Sequence, residues 1–227
     1  MSDTETFQLF AEIARKRRSV RAFHKEPVPE SILKAVFEVA QTAPSNCNTQ
    51  PWQVHVASGE VCERLRSRIS AVATAGQIPT WDFPYDFNYP GVYRDRQYAA
   101  ARTLYEALNI TREDKAGRTA AFNRNYTFFD APHVAFLFLP EPFGLREAAD
   151  LGMYAQNLML ALTAHGIGSC PQTALSFYPD IVRDELGIAA EQRLLFGLSF
   201  GYADESHASA LARTRRAALS DIVTFHS

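Results

Sequence analysis

Arg17, Arg18 and Arg21 bracket Ser19 in the run RRSVR, at the end of a helix-like N-terminal segment. Guanidiniums are planar, permanently charged and rich in fixed donors, so several of them beside a hydroxyl can converge on one dianionic phosphate. A short helix's length further on, APSNCNTQPW offers a second chemistry. Pro44 breaks the preceding helix, and Ser45, Asn46, Asn48 and Gln50 then present hydroxyl and amide groups that both donate and accept hydrogen bonds. Such a turn matches the edge of a heteroaromatic ring. Taken singly, an arginine run is usually a solvated helix face and a Ser/Asn/Pro cluster a plain loop. In this order, with an amphipathic helix between them, the two read as a phosphate clamp followed by a clamp for a cofactor's edge.

The elements that must position these groups are legible in the spacing. Ile32, Leu33, Val36, Phe37, Val39 and Ala40 recur at helical intervals, with Pro27 and Pro29 ahead and Pro44 behind. QVHVA alternates, which predicts a half-buried strand with Val54 and Val56 on one face and His55 on the other. Val61, Leu65, Ile69 and Val72 mark a second helix. Between Pro79 and Arg94, Trp81, Phe83, Tyr85, Phe87 and Tyr89 stand at alternate positions, but Pro84 and Pro90 favour an extended surface loop bearing aromatic knobs. A further helix carries Tyr98, Ala101, Leu104, Tyr105 and Leu108 on one stripe. HVAFLFL (133–139) and LLFGLSF (194–200) are nearly continuous apolar runs, the pattern of fully buried strands. Leu151 to Ala164 is apolar almost all round, which predicts a helix in the interior or in a subunit interface, and Gly166 can stop it. With no internal repeat, low-complexity stretch or convincing linker, residues 1–227 read as one α+β domain.

Several function classes recede at once. The formal charge is -2 and the arginines are scattered rather than striped, so nucleic acid is not an expected partner. Cys47, Cys62 and Cys170 are odd in number and lack CxxC spacing, which argues against a disulfide framework or a zinc ribbon and suits a reducing cytoplasm. The N-terminus places its basic residues after its apolar ones, the reverse of a secretory signal, and no apolar run reaches the ~20 residues that span a bilayer. Six histidines show no HExxH or HxH spacing, so no metal is expected. GLSFG (197–201) fits G-x-S-x-G literally and would make Ser199 a hydrolase nucleophile. An elbow of that kind needs strand, sharp turn, then helix, whereas the apolar pattern here runs through Ser199 into Tyr202-Ala203-Asp204. The GIG of HGIGSC closes a helix instead of opening one, and is a C-cap and turn, not a dinucleotide fingerprint.

RRSVRAF followed by VP, a helix and APSNCNTQPW resembles the opening of the FMN-dependent nitroreductase family. DLGMYAQNLMLALTAHGIGSCPQ is similar to that family's central helix and flavin-facing loop, FGLSFGYAD to its late strand, and RTRRAALSDIV to its second phosphate-contacting arginine site. LYEALNITRED, RNYTFFDAP and FYPDIVRDELGI resemble the nitrobenzoate-reductase-like members most. The resemblance covers nearly the whole chain. It implies a central, mostly antiparallel sheet flanked by helices, in an intertwined homodimer with FMN at the subunit interface. It further implies that Arg17, Arg18 and Ser19 meet the phosphate and ribityl end, with Arg213 or Arg216, or Arg215 between them, arriving from the C-terminal segment. Arg21 would lie near the pyrimidine edge, where fixed positive charge stabilises reduced flavin. Pro44, Ser45, Asn46 and Asn48 would hold the ring or the ribityl chain, and Asn125 would add a ribityl contact.

Pro171, Gln172 and Thr173 match the family's flavin-face loop, where the backbone N–H of Thr173 would approach the flavin N5 and give that residue the catalytic place. The acidic side chain found there in some members is absent. Cys170 beside it reads as a small buried hydrophobe. The implied reaction is ping-pong: NAD(P)H gives hydride to the flavin and leaves, and a nitroaromatic compound or quinone takes its place. Trp81, Phe83, Tyr85 and Phe87 are expected to stack on the nitroarene, within a loop and helical insertion over 79–130 near the site. Ile222 to Phe225 would add an edge strand to the partner subunit. Reductive dehalogenation and flavin modification or storage are alternatives on the same fold. Dehalogenating members carry a charged lid where this chain is aromatic and proline-rich with Asp82 and Asp86, which favours a flat, less polar substrate.

Overall fold

A computed structural model describes residues 2–86 and 88–226. The first helix, α1 (Asp3–Lys16), starts from a reciprocal capping box: Ser2 Oγ accepts the Glu5 N–H while the Glu5 carboxylate accepts the Ser2 N–H. It ends where Arg17 turns to ψ 122°, so RRSVR leaves the helix extended. There follow α2 (Glu30–Ala40), β1 (Gln53–Ser58), α3 (Gly59–Thr74), α4 (Gly91–Ala107), α5 (Lys115–Asn123), β2 (His133–Pro140), α6 (Leu145–Ala164), β3 (Gly168–Gln172), α7 (Pro179–Leu186) and β4 (Gln192–Gly201). The strands form one sheet in the order β1-β2-β4-β3, every neighbour antiparallel.

The unbroken apolar run of β2 has a direct cause, because both faces of the strand are covered. Ala135, Leu137 and Leu139 pack with Val36 and Ala40 of α2 and Leu151, Leu158 and Leu162 of α6. Val134, Phe136 and Phe138 pack on the other side with Leu65 and Ile69 of α3 and Val182 of α7. A strand sandwiched between helical layers has no polar alternation to show. At its start His133 accepts the Val28 N–H on Nε2 at 2.8 Å, which puts the ring proton on Nδ1, 2.6 Å from Ser58 Oγ. The ring also stacks on Phe200, with centroids 5.2 Å apart. Gly166 follows α6 at φ 74°, a left-handed position that suits glycine after a helix.

Two expectations change, one in β1 and one at the start of α6, and two other segments show where their apolar residues lie. In β1, an edge strand of the sheet, Val54 packs inward but Val56 is 40% exposed. The α4 stripe is not buried: Tyr98 is exposed, and Ala101, Leu104 and Tyr105 are only half-covered. Helix α6 starts at Leu145 rather than Leu151, its first turn fixed by Glu147 accepting the Gly144 N–H, and Gly152, Met153 and Gln156 face out of the core. Ile222 to Phe225 forms no strand within the chain and lies exposed.

Candidate functional site

RRSVR is held as a short added strand beside the sheet. Val20 N–H donates to Ser169 O at 2.9 Å and Ser19 bridges Ser169 in parallel sense. Further along, His24 N–H donates to Tyr202 O at 2.9 Å and Asp204 N–H to Ala22 O at 3.0 Å. Close approach depends on residue 168 being glycine, because a Cβ there would stand 2.8 Å from Val20 Cγ2.

This placement opens a cavity of about 940 Å³. Arg15, Arg17, Arg18, Ser19 and Arg21 form one wall, and Arg213, Thr214 and Arg216 arrive from the opposite end of the chain. Gln156 and Met159 of α6, Ala100, Ala101 and Leu104 of α4, and Pro171 complete it. Six arginines and no carboxylate therefore line one space. Among the described residues only Arg18 of the six has an acidic partner, Glu205. Burial, then the Arg216 charge, make Arg17 less basic than an ordinary arginine. Arg21 is steadied by its Nη1 donating to Ser19 O at 3.4 Å. Such a lining suits a multiply charged anion at its arginine end and an apolar body beside Met159 and Leu104.

The 44–50 turn takes the strained form its composition suggests, with a short 3-10 segment at Asn46–Asn48 and φ of 50° at Cys47, 55° at Asn48 and 47° at Gln50. Gln50 N–H donates to Ser45 Oγ at 2.9 Å, and Asn46 N–H to the carboxylate of Asp150 on α6 at 3.1 Å. Pro44, Asn46 and Asn48 are exposed, and the turn does not line the arginine cavity of its own chain.

At the end of β3, alternation leaves Pro171 and Thr173 exposed and turns Gln172 inward. The Gln172 amide donates to Asn125 O at 3.0 Å and Asn125 Oδ1 at 3.2 Å, and its Oε1 accepts the Ser199 hydroxyl. Gln172 and Asn125 thus engage each other by side chain, away from the cavity's lining. Ser199 is fully buried inside β4, so the hydrolase alternative fails for want of an exposed nucleophile. Thr173 opens a 3-10 turn, Thr173–Ser176, that packs on β4 because residue 197 is glycine: a Cβ there would lie 2.5 Å from Leu175 Cδ1. Cys170 is buried beneath, and desolvation pushes its thiol up to about 11.

The aromatic loop is irregular as expected, but Trp81, Phe83 and Tyr85 turn inward instead of being held out, while Tyr89 stays exposed. Trp81 and Tyr85 lie against Phe177 at centroid distances of 5.7 and 6.0 Å, and the Arg193 guanidinium covers Phe83 at 4.1 Å. Asp82 fixes the loop, receiving Arg183 on both oxygens at 2.7 and 3.1 Å and the Leu194 N–H at 2.7 Å. Phe87 lies outside the described residues. Sequence reasoning missed Arg15, Gln156, Met159, Ala100, Ala101 and Leu104 as cavity residues. Gln156, which with Asn157 interrupts the apolar run of α6, was an available signal. Among the described residues no three His, Cys, Asp or Glu side chains gather as metal ligands, and no helix is long and apolar enough to cross a membrane.

Comparison with known proteins bears on this geometry. A family model described as the nitroreductase family matches residues 14–202. Nitroreductase NfnB of Mycolicibacterium smegmatis is 48% identical over 211 residues, covering 92% of this chain and 89% of that protein. The crystal structure of the FMN-dependent nitroreductase NfnB from Mycobacterium smegmatis in complex with NADPH superposes with a TM-score of 0.93 at 45% identity, covering 97% of this chain and all of the other. A 4-nitrobenzoate reductase of Pseudomonas putida is 31% identical over 198 residues, covering 87% of this chain and 86% of that protein.

Proposed function

The chain belongs to the nitroreductase family, and from that premise we propose that it is an FMN-dependent NAD(P)H oxidoreductase that reduces nitroaromatic compounds. The observation that carries this reading is the cavity in which arginines from both ends of the chain converge beside Ser19 and Pro171 with no carboxylate among them. Those residues fit a dianionic phosphate with an apolar extension. Arg17, Arg18 and Ser19, with Arg213 and Arg216 closing from the C-terminal side and Arg215 adjacent, hold the phosphate and ribityl end, and Arg21 faces the ring. Bound there, FMN supplies hydride transfer between a reduced nicotinamide and a nitro group. Thr173, an exposed residue at the end of β3, turns its backbone N–H to the reacting face, and the turn it opens, seated on Gly197, keeps it fixed. Pro171 shapes the same face, while Gln172 and Asn125 support the loop through their shared hydrogen bonds.

The active form is a homodimer with FMN at the subunit interface. Support comes from the exposed turn at 44–50, whose Pro44, Ser45, Asn46 and Asn48 are free of the cavity of their own chain and available to that of a second copy. Exposed Phe7 and Phe10 on α1, and Ile222 and Phe225 in the C-terminal segment, offer apolar surface for such an interface. Residues 1–227 act as one unit, with 79–130 beside the site because α4 walls the cavity. Trp81, Phe83 and Tyr85 shape the substrate side from their packed positions, and a reducing cytoplasm suits the three free thiols. Steady-state kinetics of the FMN-loaded protein test the reading: NADPH or NADH oxidation should depend on added 4-nitrobenzoate, with parallel double-reciprocal lines. Oxidation that ignores nitroarenes would point to the dehalogenating, flavin-modifying or storage alternatives.

A further inference from the structure

One phosphate does not use all the charge in the cavity. A phosphomonoester carries about -1.5 to -2 at pH 7, whereas six guanidiniums line the space and Glu205 offsets only Arg18. About three positive charges are left over once such a phosphate is bound. A surplus of one sign in a walled cleft concentrates a second anion there. The volume of about 940 Å³ stands near the top of the range for ligand pockets, roughly 300–1,000 Å³, so there is room for one. Of the six, Arg15 is the arginine that the phosphate reading leaves idle. It lies in the last turn of α1, ahead of the RRSVR cluster, exposed at the cavity wall, with no ion-pair partner among the described residues.

Building on the flavin reading above, we propose that Arg15 is a specificity-determining residue that binds an anionic group, phosphate or carboxylate, on the co-substrate that shares the cavity with FMN. The group is either a phosphate of the nicotinamide donor or the carboxylate of a nitrobenzoate. A cation in the last turn of a helix also complements the helix dipole. That role touches stability and leaves ligand affinities alone, so the two are separable.

The test uses FMN-loaded Arg15→Gln and Arg15→Lys. Calorimetric titration with NADP+ and with NAD+ reads the donor side without turnover, and KM for 4-nitrobenzoate and for nitrobenzene reads the acceptor side. The expected result is a three- to fivefold weakening, roughly the scale of an exposed ion pair, confined to one anionic class in Arg15→Gln and recovered in Arg15→Lys. Loss for NADP+ alone assigns Arg15 to the 2′-phosphate, loss for NADP+ and NAD+ together to the pyrophosphate, and a rise in KM for 4-nitrobenzoate alone to the carboxylate. Four unchanged constants, or a nitrobenzene KM that moves with the rest, would overturn the proposal. A parent protein that takes up no FMN fails the flavin reading itself. Arg15→Gln that stays yellow with four unmoved constants removes only the role of Arg15.

Discussion

A single missing Cβ at residue 168 decides how closely RRSVR lies against β3. With methyl and Val20 Cγ2 only 2.8 Å apart, Gly168→Ala must push the Val20 segment outward and Ser19 with it. The expected cost is ~1–3 kcal/mol, as for other overpacked sites, together with poorer FMN retention. Thermal unfolding and flavin released on dialysis measure both, and a variant as stable and as yellow as the parent contradicts this account of the cavity wall. His133 makes a second prediction at this scale. Burial lowers its pKa below the ordinary histidine value, because a charged ring would lose the bond from Val28 and sit desolvated against Phe200. An unfolded histidine titrates near 6.5, about the point below which the unfolded chain binds the extra proton and the folded one does not. Stability from this group is thus complete above about pH 6.5 and lost as pH falls through the depressed folded value. Urea unfolding between pH 7.5 and 5.5 should give a shallower slope for His133→Gln than for the parent, and parallel slopes would refute the assignment.

Elements with two covered faces or one clean stripe were legible in the sequence, and elements waiting on other surfaces were not. The continuous run in β2 and the helical spacing in α2 each encode their own burial, so both were placed correctly. Val56 misleads because apolar character says only that a residue can be buried, not which surface does it. The aromatic loop was placed as a loop, yet its anchor was invisible: nothing in the spacing links Asp82 to Arg183 across the chain. That pair is mostly buried on both sides. Asp82→Ala would leave Arg183 with the Gln192 carbonyl and the exposed Asp180, Asp180 its one remaining acidic partner among the described residues, costing roughly 3 kcal/mol and loosening the segment around Asp82. Limited proteolysis should then cut first within that segment. Resistance equal to the parent's would mean that the ring packing on Phe177 suffices to hold it.

At the scale of the whole molecule, the arginine cavity was the most legible part of the site, since RRSVR stood out by its residue types, the family resemblance joined the C-terminal RTRR to it, and the fold brings the two to one space. The polar turn was equally visible as a motif, but spacing along one chain could not reveal that it stands apart from its own chain's cavity. A second copy supplies the missing juxtaposition in the proposed dimer. Removing residues 219–226 takes away exposed Leu219, Ile222 and Phe225, and sedimentation should show the truncated chain shifting from dimer towards monomer with loss of bound FMN. An unchanged dimer would exclude the C-terminal segment from the interface. The most direct measurement of the central claim is the visible spectrum of the purified protein, followed anaerobically through addition of NADPH or NADH and then of 4-nitrobenzoate. Flavin bands that bleach with the nicotinamide and return with the nitroarene are the predicted result. A protein that stays colourless when FMN is added, or bands that bleach and fail to return with any nitroarene, would contradict it.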